Sequence, residues 1–151
     1  MNVLLTPHFS IQELIFSEAA SRLGLPNSPD VDQLGNLKRL CVVLLEPARE
    51  LIGEPLRVTS GFRTVEVNGH LPGASRTSAH MDGRAADVMP LESSVFKAFE
   101  LLKDSTLEWD QLILEHRAWL HLAVAREGEH PRREVLLARG TLAGPVYERI
   151  A

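Results

Sequence analysis

The stretch Ser78–Asp87, SAHMDGRAAD, holds an imidazole, a glycine and a carboxylate within ten residues and runs directly into apolar chain. Gly83 stands between His80 and Asp87, and glycine lets a chain turn back sharply because it takes left-handed backbone angles at no steric cost. Ala85 and Ala86 add little bulk beside that turn, and Ala85–Met89 (AADVM) reads as a short buried strand. His80 and Asp87 can therefore fold back to one point. The strand that carries Asp87 then needs partners, and this requirement sets the fold class.

The partners lie on both sides of it. Asp110–Glu115 (DQLILE) and Trp119–Ala125 (WLHLAVA) read as two strands around a hairpin-like connection, His116-Arg117-Ala118, and Glu134–Arg139 (EVLLAR) reads as a third. Upstream, Pro55–Ser60 (PLRVTS) has β texture, and Gly61–Ser78 is a long polar loop of the kind that carries function. The chain before it is helical. Ser10-Ile-Gln-Glu13 has the capping-box form and opens one short helix that runs to Leu23-Gly24. A longer helix is expected from Pro29–Asp30 to Ile52, with Leu34, Leu37, Cys41, Leu44, Leu45 and Leu51 on its apolar face, a kink at Pro47 and Gly53 at its end. Glu92–Lys103 reads as another helix, capped at Ser93-Ser94. Helices first and strands later, without regular alternation, indicate an α+β fold: a small antiparallel sheet with the N-terminal helices packed on it.

With 151 residues, 44% of them apolar, the chain reads as one domain over 1–151 with a sizeable core. The net charge of −4 comes from 16 basic and 20 acidic residues without a basic stripe, which argues against nucleic acid as a partner. The longest apolar runs, such as Leu40–Leu45, are too short to span a bilayer, for which about 20 residues are needed. MNVLLTPHF has no basic n-region and no long apolar h-region, so no secretory signal is expected. Cys41, the single cysteine, excludes an internal disulfide and sits in an apolar helical run as a small core residue.

A catalytic zinc takes three protein ligands from His, Asp or Glu and keeps one position open. His80 and Asp87 supply two candidates. His121, flanked by Leu120 and Leu122 along its strand, faces opposite to those apolar neighbours and supplies the third. On spacing alone the balance is against zinc: a histidine at a strand centre is often only a satisfied, partly buried polar group, and His–Asp pairs at this separation occur by chance in many sequences.

Ser60-Gly61-Phe62-Arg63, then Asn68, then Ser78-x-His80-x-x-Gly83-x-Ala85-x-Asp87, and finally Trp119-x-His121 together resemble the zinc D-alanyl-D-alanine carboxypeptidases and their hedgehog-type superfamily. Phe9–Glu13, Ser17–Ala20 and Gly24–Asn27 resemble the opening of its phage and prophage peptidoglycan peptidases. The likeness covers about Phe9 to Val124. It implies a D-Ala-D-Ala carboxypeptidase/hedgehog-like α+β peptidase with Zn2+ bound by His80, Asp87 and His121, and peptidoglycan stem peptides as substrate. Many relatives place an acidic general base three positions before the last histidine, where this chain has Ala118. Glu115, six positions before His121, matches the placement in the hedgehog-type members and is the expected base, ahead of His116 and Asp110.

The resemblance puts Arg63 in the substrate cleft, as a catalytic and substrate-binding cation that holds a carboxylate or polarises the scissile carbonyl; an ion pair bracing the loop is its structural alternative. It implies that Ser78 hydrogen-bonds substrate, a role that competes with capping its own turn. Asn68 is expected to brace the long loop and Gln111 to orient groups beside the site. The whole reading is a peptidase made in the cytoplasm and acting at the bacterial cell wall, as a phage or prophage lysis enzyme does. Its rival is a noncatalytic zinc-stabilised module for cell-wall binding or a phage tail.

Overall fold

The computed structural model describes residues 2–150. Strands β1 (Leu4–Thr6) and β2 (Phe9–Ser10) form a two-stranded antiparallel ribbon, and helices α1 (Ile11–Ile15), α2 (Glu18–Leu23), α3 (Val31–Leu40) and α4 (Glu46–Ile52) follow. Next come β3 (Leu56–Ser60), α5 (Val65–Gly69), a 3₁₀ turn (Ala79–Asp82), β4 (Ala85–Pro90) and α6 (Val95–Lys103). The chain ends in β5 (Gln111–Glu115), β6 (Trp119–Ala123), β7 (Glu134–Thr141) and β8 (Gly144–Arg149).

The sheet is larger than the small antiparallel one expected, and it is mixed. Six strands lie in the order β3-β4-β6-β5-β7-β8, and β5 runs parallel to β7 while the other pairs are antiparallel. The reason is geometric. β6 returns the chain to the edge where β5 began, so the connection can pass β5 and start β7 at that same edge, pointing the same way. Asp110 fastens the start: its carbonyl accepts the Glu134 N–H at 3.0 Å, and its carboxylate accepts the Arg132 N–H at 2.7 Å.

Alternation along the strands gives the sheet two different faces. Ala86, Val88, Leu112, Leu114, Leu120, Leu122 and Val135 all belong to one buried core with Leu37, Leu40, Leu44, Leu45 and Ala48 from the long helical segment and Phe99 and Leu102 from α6. Asp87, Ile113, Glu115 and His121 fall on the opposite face. The core face is apolar throughout, so the register that buries it also dictates which residues the other face presents.

The first helix differs from the single one expected. Ser10 and Glu13 do form the capping box, but α1 stops at Ile15, and Ser17 caps a second helix by accepting the Ala20 N–H at 3.1 Å. A hydroxyl that satisfies a fresh helix start favours the break. Asn27 makes the break useful: its Nδ2 donates to the Ile15 carbonyl (2.7 Å) and the Phe62 carbonyl (2.9 Å), and its Oδ1 accepts the Thr64 N–H (2.9 Å). In the second helical region Asp30 forms the expected start with Gln33, and the turn ahead of Pro47 is widened. Cys41–Leu45 is π-helical, and this expansion just ahead of the proline accommodates a residue that has no N–H to donate. The loop 61–78 contains the short helix α5, and β8 is a strand the sequence pattern did not announce.

Two glycines seat the helices on the sheet. The Phe62 N–H donates to the Leu14 carbonyl at 2.7 Å, and a Cβ at Gly61 would stand 2.1 Å from that same oxygen. Gly83 has φ +75°, and a Cβ there would lie 2.5 Å from the Gln33 carbonyl oxygen. Gly61→Ala is therefore expected to lose about 2–3 kcal/mol in urea unfolding. Gly35→Ala, mid-helix with nothing within 4 Å of the new methyl, is expected to gain about 0.5–1 kcal/mol.

Candidate functional site

Three elements bring three polar side chains together. Asp87 of β4 and His121 of β6 are direct cross-strand partners, and the 3₁₀ turn ahead of β4 carries His80 to the same place. His80 Nε2 lies 3.2 Å from His121 Nδ1 and 3.3 Å from Asp87 Oδ1, and His121 Nδ1 lies 3.1 Å from Asp87 Oδ1. Behind the group, His80 donates from Nδ1–H to the Gly61 carbonyl at 2.7 Å. That bond fixes the tautomer, so the Nε2 lone pair points at the other two residues.

Burial pushes the His80 pKa below the ordinary imidazole value despite the pull of Asp87. Burial also opposes ionisation of Asp87, but His80 and the hydrogen bond from His121 outweigh it and hold the carboxyl well below the usual carboxylate range. Two imidazoles and an ionised carboxylate that face one another at these distances suit a cation. Tetrahedral zinc, with bonds of about 2.0–2.1 Å, has ligand atoms about 3.3 Å apart. His80, Asp87 and His121 meet that spacing and could hold one metal ion.

The group lies in a cleft of about 980 Å³ that Arg63, Ser78, Asp110, Gln111, Glu115, His116 and Trp119 also line. The candidate ligands, the candidate bases, Arg63 and Ser78 thus line one cleft, whereas Asn68 lies outside its lining. Arg63 donates from Nη1 to Ser60 Oγ and from Nη2 to Ser78 Oγ, both at 3.3 Å, and its buried Nε has no partner. Among the described residues no carboxylate lies within ion-pair distance of it, so the loop-bracing ion pair is absent. Ser78 caps its own turn by accepting the His80 N–H at 3.3 Å, and it also accepts from the Arg63 guanidinium.

Glu115 ends β5 opposite Trp119, with its side chain 12% exposed and His116 Nε2 3.9 Å away. Burial raises its pKa above the ordinary glutamate value, and Asp87 adds to the rise against the pull of His121, His116 and Arg63. His116 and Arg117 form the tight turn behind it with φ +51° and +56°, and the Ala118 N–H closes the turn on the Glu115 carbonyl at 2.8 Å.

Asp110 has a different duty from the one considered for it. Its carboxylate accepts three bonds from Arg132, at 2.7, 3.0 and 2.8 Å, which commits it to the start of β7. Gln111 likewise turns to Glu134, at 2.7 Å. Asn68 braces the long loop as expected, with Nδ2 donating to the Ser75 carbonyl at 2.9 Å. Sequence reasoning missed the Gly61 carbonyl behind His80 and the Asn27 side chain behind Phe62 and Thr64. The first has no signal beyond the glycine; the second was visible only as the last residue of the Gly24–Asn27 motif.

The family model for Peptidase M15 matches residues 7–123. The chain belongs to the Peptidase M15 family. M15 peptidases are zinc enzymes that act on peptides, and the His80–Asp87–His121 group is compatible with that chemistry. The M15 match stops at the end of β6, so β7 and β8 lie beyond it. No curated protein matches the chain. No helix among the described residues is long and apolar enough to cross a membrane.

The Arg132 bonds leave a signature in acid. Burial alone would raise the Asp110 pKa, but these bonds lower it. The stabilisation is therefore present above the ordinary aspartate value of about 3.9 and is lost as the pH falls towards the lowered one. Asp110→Asn is expected to cost about 1–3 kcal/mol in urea melts near neutral pH, with the gap to the parent protein narrowing below about pH 4.

Proposed function

We propose that this M15 peptidase hydrolyses peptide bonds in the stem peptides of bacterial peptidoglycan, as a D,D-carboxypeptidase or a peptidoglycan endopeptidase. One zinc ion would be held by His80, Asp87 and His121. The observation that carries the reading is the meeting of three side-chain atoms able to ligate a metal, 3.1–3.3 Å apart, in one cleft with a mostly buried glutamate. The likeness of Phe9–Asn27 to phage and prophage enzymes supports a single lysis domain over 1–151 that acts at the cell wall.

When bound, zinc supplies Lewis acidity: it polarises a carbonyl and brings the ionisation of a water towards neutral pH. The remaining work falls to side chains. Glu115 acts as general base, taking a proton from the attacking water and giving it to the leaving amine; its raised pKa lets it serve in both directions. Arg63, held by hydroxyls and free of carboxylates, binds a carboxylate or carbonyl oxygen of the peptide. Ser78 steers that guanidinium and keeps the His80 turn in place.

Glu115→Gln preserves shape and removes the base. It is expected to lower kcat on muropeptides by about 10²–10⁴-fold while zinc content stays at one per chain. Mass spectrometry of the digest then reports the bond that is cut. A zinc-loaded Glu115→Gln protein with parental activity contradicts the role of Glu115, and a zinc-loaded parent protein that cuts no muropeptide favours a wall-binding module.

A further inference from the structure

The cleft has a wall that the M15 match does not reach. Trp119, Glu115, Ala138 and Tyr147 are successive partners across β6, β5, β7 and β8, and Trp119, Glu115 and Tyr147 all line the cleft. Tyr147 is the only tyrosine of the chain, lines the cleft and stands 48% exposed. Its hydroxyl has no hydrogen-bond partner among the described residues, and in the register of the sheet only the small Ala138 stands between it and Glu115. Arg63, which follows β3, and Tyr147, on β8, therefore face the His80–Asp87–His121 group from opposite edges of the sheet. Pro145, two residues before Tyr147, and Gly73 of the long loop also line the cleft, and they are close enough that a Cβ at Gly73 would lie 3.4 Å from the proline ring.

We propose that Tyr147 is a substrate-contacting residue whose hydroxyl donates a hydrogen bond to a backbone carbonyl of the bound peptide, on the side away from Arg63. The proposal rests on the peptidase reading above. Two strand spacings place Tyr147 about 10 Å beyond Glu115. An extended peptide advances about 3.4 Å per residue, so a phenol leaning back over Ala138 meets it two or three residues from the scissile bond. The hydroxyl is in the right state to donate: burial raises its pKa and the negative charges of Glu115 and Asp87 raise it further. Contact so far from the reacting atoms binds substrate and transition state alike, which changes KM and leaves kcat alone.

The test uses a muropeptide that the zinc-loaded parent protein cuts, purified from its digest, and compares the parent with Tyr147→Phe and Tyr147→Ala. Tyr147→Phe is expected to raise KM about three- to tenfold at unchanged kcat, with an unchanged melting temperature, because the lost hydroxyl has no protein partner. Tyr147→Ala is expected to raise KM further. Parental KM in Tyr147→Phe overturns this inference and leaves the peptidase reading standing. A lower melting temperature with a fall in kcat at constant KM assigns the ring a structural role and also overturns it. If the parent protein cuts no muropeptide, both proposals fall together.

Discussion

The pairing of β4 with β6 that sets Asp87 directly against His121 is the constraint on which the site depends. A one-residue slip would turn His121 into the core and Leu120 or Leu122 out of it. The cost of that slip protects the site. Ala86, Val88, Leu120 and Leu122 have no accessible surface in the correct register, and burying an aliphatic side chain of their larger kind is worth about 1.5–3 kcal/mol. Apolar burial on one face thus holds a polar pair in place on the other, where the 3.1 Å contact between His121 Nδ1 and Asp87 Oδ1 joins the two strands a second time.

His80 needs a separate device, because it comes from a turn and not from a strand. Its ring is positioned by the Gly61 carbonyl, and Gly61 sits where it does because Leu14 of α1 packs against it closely enough to exclude any side chain. Asn27 ties the end of α1 to Phe62 and Thr64 on either side of Arg63. The N-terminal helices therefore serve the site through backbone contacts: they fix the segment that carries both the carbonyl behind His80 and the cation at the edge of the cleft.

The parts of this arrangement legible in the sequence are those written in period-two alternation and in glycine placement. Leu120-His121-Leu122 announced a histidine facing away from a core, and Gly83 announced the turn between His80 and Asp87; the structure brings all three polar residues together. Capping residues located helix starts at Ser10 and Asp30 correctly. The early stop of α1 was not legible, because Ser17 competes with continuation of the helix through a local hydrogen bond that periodicity does not register. Nor was the parallel entry of β7, which follows from where β6 ends in space. β8 escaped notice because GPVYER is exposed over nearly all its length and shows no buried stripe to read. Asp110 and Gln111 lie beside the cleft as expected, yet bond to Arg132 and Glu134, partners more than twenty residues away that spacing could not reveal.

The most direct measurement is X-ray absorption at the zinc edge of protein loaded with one equivalent of the metal. The account predicts four nitrogen or oxygen neighbours at about 2.0–2.1 Å, two of them with the outer-shell scattering of imidazole, from His80 and His121. A spectrum with six oxygen neighbours and no imidazole scattering, or with a sulfur at about 2.3 Å, would contradict it.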